Sequence, residues 1–258
     1  MYFTRDGFVK TAAVIFFVLC LALLGIKECP VYSAIHNGRS IARDKTTHDL
    51  SQVTVCIDPG HPSEVSGGRV KQHGLTELAV DWQVANKLSR ILQKQYHIKT
   101  VLTRNDREKL TTNRDRAEVA NNANARVFIR LHCDTEPSGQ KRGFTIYYPD
   151  RQGICSGTKG PPAKIISASR LAAVLIEKRM AQSLAGVLTD NGIKPETKTS
   201  IGRRQGALTG SIYSHVPVVL VEMVFLSSRD DAQFIGEEKG QEKMAQGLAQ
   251  GIVDFVSK

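Results

Sequence analysis

The 258-residue chain has few aromatic residues, few cysteines and no long run of basic residues. Aromatic side chains make up 6% of it, and its 5 cysteines do not have the spacing of a zinc finger. It also lacks internal repeats and low-complexity tracts. An aromatic-rich RNA-binding stretch is therefore missing although the net charge is +10, and we expect no nucleic acid partner. A membrane surface or an anionic polymer remains as a partner for the positive charge.

One long apolar run is present, and it lies near the N-terminus. Residues 11–26 carry no charge and follow the basic residues Arg5 and Lys10. The run is long for a signal-peptide core and slightly short for a membrane span. We predict an export signal or membrane anchor over residues 1–34, a polar linker over 35–51 and a folded domain over 52–258. The protein is then exported to the periplasm or cell envelope, and an uncleaved segment would attach it to the membrane.

The rest of the chain alternates between apolar strand patterns and helical patterns. Continuous apolar runs predict strands over residues 53–58, 98–104, 126–132, 143–149 and 216–225. Apolar residues at helical spacing predict helices over residues 78–95, 111–125, 169–188 and 240–256. Strands that alternate with helices indicate an α/β fold, with a mostly parallel central sheet flanked by helices in a single domain. Between residues 167 and 222 the pattern predicts one helix and a loop.

Four ionisable side chains fall at strand ends, inside a strand or at a helix start. His61 follows the first strand, His132 ends the third, Glu77 opens the first helix, and Glu222 interrupts an apolar strand. Such sheets bind ligands at the carboxyl ends of their strands. Two imidazoles and one carboxylate are typical of catalytic zinc, and a second carboxylate suits a general base. Asp58, just before His61, either caps the turn or orients the imidazole.

Six blocks of sequence occur in the order and spacing found in one enzyme family: VCIDPGHP, GLTELAVDWQVANKL, VLTRNDR, NRDRAEVANNANARVFIRLHCD, GFTIYYP and PVVLVEMVFLSSRDD. From about residue 53 onward, the chain resembles the zinc-dependent N-acetylmuramoyl-L-alanine amidases. The resemblance implies one zinc ion bound by His61, Glu77 and His132, with Glu222 as the catalytic glutamate of a single catalytic domain. It also implies hydrolysis of the amide bond between N-acetylmuramic acid and L-alanine in peptidoglycan, in cell-wall remodelling or daughter-cell separation.

The chain departs from the family pattern next to both histidines. Pro62 and Ser63 follow the first histidine, where the family commonly has two glycines. The family's SIHAN block reads RLHCD, so that Arg130 and Cys133 replace smaller or neutral residues. Some relatives carry a helix that blocks the site until an activator protein removes it. The resemblance therefore allows an activator as a partner besides peptidoglycan, although residues 167–222 leave little room for a blocking helix.

Other classes of protein share parts of the pattern. His61 and Glu64 have the ligand spacing of zinc carboxypeptidases, so Glu64 competes with Glu77 for one coordination position. Trimming of stem peptides, as by a D-alanyl-D-alanine carboxypeptidase, is the alternative activity. Ser138 and Ser156 each begin a Ser-x-x-Lys motif of penicillin-binding enzymes, but the glycine after each serine favours a loop. A wall-binding scaffold without activity is a third alternative, against which the intact ligand set argues.

Overall fold

The computed structural model describes residues 49–258. The predictions for residues 1–34 and for nearly all of the linker lie outside these residues. The described part begins with a short 3-10 turn, Leu50–Gln52, which Asp49 caps by accepting a hydrogen bond from the Ser51 N–H. Leu50 packs against the main core. None of the helices within residues 49–258 is long and apolar enough to cross a membrane.

A six-stranded sheet forms the centre of the domain, with the strand order β4-β1-β5-β10-β6-β9. Strands β4, β1, β5 and β10 run parallel, β6 is antiparallel to β10, and the edge strand β9 is parallel to β6. This confirms the predicted mostly parallel sheet. The six strands are β1 (Thr54–Pro59), β4 (Lys99–Leu102), β5 (Val127–Asp134), β6 (Phe144–Tyr148), β9 (Asp190–Pro195) and β10 (Val218–Phe225). Two small hairpins lie outside the sheet: β2 (Lys71–Gln72) with β3 (Leu75–Thr76), and β7 (Gly153–Cys155) with β8 (Thr158–Gly160).

Threonine and serine side chains begin several of the helices. Thr76 accepts a hydrogen bond from the Ala79 N–H, and Thr112 accepts one from the Asp115 N–H, so that each satisfies an N–H that lacks a helical partner. The helices are α1 (Glu77–Tyr96), α2 (Asn113–Asn122), α3 (Ala163–Leu184), α4 (Ser200–Gln205), α5 (Thr209–Ile212), α6 (Arg229–Gly236) and α7 (Glu238–Val256).

The two faces of the sheet are covered differently. One face carries the main core, to which α1, α3 and α7 contribute residues such as Leu88, Ile176 and Leu248. On the other face a second cluster contains Phe128 and Val218, packed against alanines of α2. Because side chains alternate along a strand, the residues two and four positions after Phe128 and Val218 lie on this second face, beyond the small cluster. They are available to form a site at the carboxyl ends of the strands.

The prediction for residues 167–222 was incomplete. Helix α3 begins at Ala163, six residues earlier than the apolar pattern indicated, directly after Pro161 and Pro162. A strand, β9, and two short helices, α4 and α5, follow where a loop was predicted. Helices of four to six residues are too short for a periodic apolar face, so the pattern could not indicate them.

Helices α3 and α7 cross at Gly251, where a side chain would overlap the Cα atom of Ile176. We expect Gly251→Ala to lower the free energy of unfolding by about 1–3 kcal/mol, because the helices must move apart. Urea unfolding followed by circular dichroism measures this change. Gly236→Ala is the control, since its Cβ would lie 3.4 Å from a Leu75 side-chain atom, an ordinary contact. Equal losses in both variants would contradict the close crossing.

Candidate active site

Three of the predicted site residues converge at the carboxyl ends of the strands. The Nε2 atom of His61, in the loop after β1, lies 2.9 Å from Oε2 of Glu77, the first residue of α1. The Nδ1 atom of His132, on β5, lies 3.0 Å from Oε1 of the same carboxylate. One ligand atom from each of the three residues lies within 4.8 Å of the others. The structure therefore gathers three side chains, each from a different element, around one point.

The pKa shifts of two of these three residues favour the forms that bind a cation. Burial raises the pKa of Glu77, but the hydrogen bonds from His132 and His61 outweigh burial and lower it to about 2. Burial lowers the pKa of His132, which favours the neutral imidazole. The pKa of His61 is raised, because its hydrogen bonds to Glu77 and Ser66 outweigh the effect of burial. For His132 and Glu77 these are the forms that metals bind, an unprotonated nitrogen and an ionised carboxylate.

Glu222 lies beside His132 because β10 and β5 pair in parallel with these two residues in register. Its neighbours Val221 and Met223 point to the main core, whereas Glu222 lines the cavity on the other face. Within residues 49–258, Oε2 of Glu222 and Nε2 of His132 are buried and have no hydrogen-bond partner. Burial raises the pKa of Glu222 well above its ordinary value, and the charges of Asp134 and Glu77 add to this.

A cavity of about 210 Å³ opens in front of these residues. One side is formed by strand residues of the second face, which include Arg130, His132 and Glu222. Another wall of the cavity comes from the segment for which the sequence pattern predicts a loop. Its residues in the cavity are Thr199, Ser200, Ile201, Leu208 and Thr209. The one sequence signal for this wall is Thr199, which caps α4 by accepting a hydrogen bond from the Gly202 N–H.

Glu196 holds that wall together, and the sequence analysis did not single it out. Its carboxylate accepts hydrogen bonds from the Leu208 N–H, at 2.7 Å, and from the Ser211 hydroxyl, at 2.5 Å. The side chain is fully buried, and burial raises its pKa to about 7 in spite of these bonds. Glu196 thus connects the start of the wall to its end, twelve to fifteen residues later.

Asp58 is the centre of a buried ion network behind the site. It accepts hydrogen bonds from Nη1 of Arg116 at 2.6 Å, from Nε of Arg130 at 3.0 Å and from the Thr103 hydroxyl at 2.5 Å. The sequence-based expectation that Asp58 caps the turn or orients His61 was wrong. The other ring nitrogen of His61, Nδ1, lies 3.0 Å from the Ser66 carbonyl oxygen instead, and the carboxylate of Asp58 binds arginines.

Arg116 and a further arginine, Arg104, hold the loop that carries His61. Arg116 donates to the carbonyl oxygens of Pro59 and Pro62, at 2.8 and 2.7 Å. Arg104 donates to the carbonyl oxygen of Gly60 at 2.9 Å. His61 itself has a φ of 49°, a left-handed conformation that is unfavourable for a residue with a side chain. Guanidinium groups thus fix the backbone on both sides of a strained residue.

The competing residues of the sequence analysis lie elsewhere. Glu64 accepts hydrogen bonds from the backbone N–H and the Nδ2 of Asn113, both at 3.0 Å, and does not join the three convergent residues. Ser138 donates to Glu136 in a loop, and Ser156 lies in the turn between β7 and β8. Neither serine is on a helix with its lysine, which the penicillin-binding arrangement requires.

The cysteines in the described part of the chain are unpaired. Cys56 and Cys133 are buried and Cys155 is partly buried. The other two cysteines, Cys20 and Cys29, lie outside residues 49–258. Burial raises the pKa of the Cys133 thiol well above its usual value, so this replacement near His132 does not supply a thiolate.

Fold and site together define an α/β domain with a candidate metal centre at the strand ends. A family model described as "N-acetylmuramoyl-L-alanine amidase", Amidase_3, matches residues 55–254. The chain belongs to this family. The match covers all four predicted site residues.

Two curated relatives match this chain at 27% and 26% sequence identity. An endolysin of Bacillus phage SPP1 is 27% identical over 79% of this chain and 66% of its own length. The probable N-acetylmuramoyl-L-alanine amidase AmiB of Haemophilus influenzae is 26% identical over 80% of this chain and 52% of its own length. The chain thus spans about half to two thirds of these curated relatives.

Solved structures share the fold. The catalytic domain of CwlV, an N-acetylmuramoyl-L-alanine amidase from Bacillus (Paenibacillus) polymyxa var. colistinus, is 27% identical with a TM-score of 0.63, covering 80% of this chain and 98% of that one. The amidase AmiC2 of Nostoc punctiforme is 21% identical with a TM-score of 0.64 and the same coverage of both chains.

The buried Asp58 network should make stability depend on acid pH. Burial raises the pKa of Asp58, but Arg116 and Arg130 outweigh burial and lower it from 3.8 to about 2. Because the folded pKa lies below the unfolded one, the ionised carboxylate stabilises the fold above pH 4. This stabilisation, about 2 kcal/mol, is lost as the pH falls towards 2. Urea unfolding between pH 6 and pH 2 measures it.

Asp58→Asn should remove this pH-dependent part. The variant should also be less stable at pH 6, by about 3–5 kcal/mol, since buried guanidinium groups lose their counter-charge. Asp230→Asn is the control, because Asp230 is exposed and should leave the profile unchanged. Parallel profiles for wild type and Asp58→Asn would show that Asp58 does not couple folding to acid pH.

Proposed function

We propose that this chain is a zinc-dependent N-acetylmuramoyl-L-alanine amidase. It hydrolyses the amide bond between N-acetylmuramic acid and the L-alanine of the stem peptide in peptidoglycan. The observation that carries the proposal is the convergence of His61, Glu77 and His132 beside a cavity lined by Glu222, in a member of the Amidase_3 family. We assign the three convergent residues as zinc ligands and Glu222 as the catalytic base.

The residues fit a zinc ion in number, chemistry and space. Two imidazoles and one carboxylate are a ligand set of catalytic zinc sites. Gly60 makes room for this set, because a Cβ there would lie 2.7 Å from Nδ1 of His132 and 2.5 Å from Oδ2 of Asp81. The Ser66 carbonyl holds the other nitrogen of His61, which fixes the orientation of its ring. The neighbours of the ligands therefore support their binding geometry.

In the proposed mechanism Glu222 transfers the proton. Zinc held at this site would polarise the scissile carbonyl, lower the pKa of a water molecule and lower the pKa of the Glu222 carboxyl. The ionised Glu222 accepts a proton from the attacking water and then donates one to the leaving amide nitrogen. Its Oε2 has no other partner among the described residues, so no existing bond competes with this role.

Partners and location follow from the same proposal. Peptidoglycan lies outside the cytoplasmic membrane, so we propose action in the periplasm or cell envelope, in wall remodelling or daughter-cell separation. The net charge of +10 suits an anionic wall polymer. The N-terminal segment then serves as export signal or anchor, and an activator protein remains a partner to be tested.

Glu222→Gln should keep zinc and lose activity. The amide retains the shape of the side chain but cannot accept the proton, so the rate should fall about 10²–10⁴-fold. The measurement is mass spectrometry of peptides released from purified peptidoglycan, with zinc content determined on the same samples. Cleavage by an amidase releases whole stem peptides, whereas a carboxypeptidase releases D-alanine. Wild-type rates in Glu222→Gln would refute the assignment of the base.

Glu77→Ala should lose bound zinc, whereas Glu64→Ala should keep it. Glu77 bridges both histidines, while Glu64 accepts hydrogen bonds from Asn113. Metal content of the purified proteins, before and after dialysis against a strong chelator, separates the two residues. Activity removed by the chelator should return on addition of zinc to wild type and to Glu64→Ala alone. Loss of zinc from Glu64→Ala with retention in Glu77→Ala would exchange their roles.

A further inference from the structure

Arg130 lies in the wall of the cavity and is not explained by the proposed reaction. It precedes His132 by two residues on β5, so both side chains project from the same face of the sheet. Its partners in register on the neighbouring strands are Asp58 and Leu220. The side chain is 4% exposed, and the residue lines the cavity together with Glu222. A buried arginine therefore lies two residues along β5 from His132, one of the three residues of the candidate metal centre.

Only two of the three guanidinium nitrogens of Arg130 have acceptors in the described part of the protein. Nε donates to Asp58 at 3.0 Å, and Nη2 donates to the side-chain oxygen of Asn113. Nη1 has no acceptor there, yet it is not among the buried atoms that lack a partner. Arg130 contributes to the lining of the cavity. Gly210 allows the close approach of this side chain, because a Cβ at that position would lie 2.8 Å from Nη1.

The one carboxylate that forms an ion pair with Arg130 is shared with a second arginine within the described residues. Asp58 supplies one negative charge to two guanidinium groups, those of Arg116 and Arg130. The carboxyl groups of Glu196 and Glu222 make no hydrogen bond to Arg130: Glu196 binds Leu208 and Ser211, and Oε2 of Glu222 is unpaired. A guanidinium N–H without an acceptor, on a residue that lines a cavity, suits a carboxylate.

We propose that Arg130 determines substrate specificity by binding a carboxylate of the stem peptide through Nη1. The group that fits is the α-carboxylate of the residue that follows L-alanine. Two residues along β5 separate the Cα atoms of Arg130 and His132 by about 6.6 Å. Two residues of extended peptide span about 7 Å, so that this carboxylate reaches Arg130 when the scissile amide lies at His132. The inference rests on the proposed function and names the substrate feature that its cavity selects.

The experiment compares two synthetic muramyl peptides that differ in one group. The residue after L-alanine carries a free α-carboxylate in one and a carboxamide in the other. Wild type should prefer the carboxylate form by about 10- to 100-fold in kcat/KM, mainly through KM, as expected for one charge-assisted hydrogen bond. Arg130→Met should reduce hydrolysis of the carboxylate form and leave the ratio of the two rates near one. A purely structural Arg130 would lower both rates equally and keep the ratio.

Binding of the same two peptides to Glu222→Gln, measured by calorimetry, separates this inference from the proposed reaction. A preference in Kd without any hydrolysis by wild type would support the role of Arg130 and refute the amidase. Hydrolysis of both peptides at equal rates by wild type would refute the role of Arg130 and support the amidase, even where Arg130→Met does not fold. If the peptides are neither bound nor hydrolysed, both the role of Arg130 and the proposed amidase activity are refuted.

Discussion

The ion pair between Asp58 and Arg116 is the interaction on which the site depends. It joins the end of β1 to α2, and Arg116 also binds the backbone on both sides of the loop that carries His61. His61 has a left-handed backbone conformation, which is unfavourable for a residue with a side chain and persists only where its surroundings enforce it. Charge-assisted hydrogen bonds in a buried setting are strong enough to enforce it. The position of His61 is thus determined by charged side chains that are not themselves among the candidate metal ligands.

The alternation of side chains along the strands explains how one sheet carries both a core and a site. On β5, Phe128 packs in the second cluster, and Arg130 and His132 follow on the same face. On β10 the same order occurs, with Val218 in the cluster and Glu222 in the cavity. The apolar half of each strand anchors this face against α2, and the polar half lies beyond it. A shift in register by one residue would move Glu222 into the main core, so strand pairing and function are determined together.

The sequence predicts five of the six strands of the sheet, the four longest helices and four candidate site residues that lie together in the structure, because each of these produces a long or chemically distinct pattern. The preference for Glu77 over Glu64 as a metal ligand came from the family resemblance, because the sequence position of either residue suits a metal site. Only the fold separates them, by placing Glu64 against Asn113. The cavity wall around Thr199 and Leu208 was missed, because its helices are too short for a periodic pattern. Asp58 was misjudged because its partners, Arg116 and Arg130, lie 58 and 72 residues away.

The positions of unpaired polar groups show which parts of the structure are destabilising. None of the four site residues belongs to either apolar cluster, so the fold has a core that does not involve them. Glu77 already binds one ring nitrogen of each histidine without a cation. The atoms left without partners include Oε2 of Glu222 and Nε2 of His132, together with Oδ2 of Asp81. Buried unpaired polar atoms are destabilising. Two of them belong to His132 and Glu222, which line the cavity, so part of this cost falls where a ligand could bind, while the ionised Glu77 keeps the histidines in place.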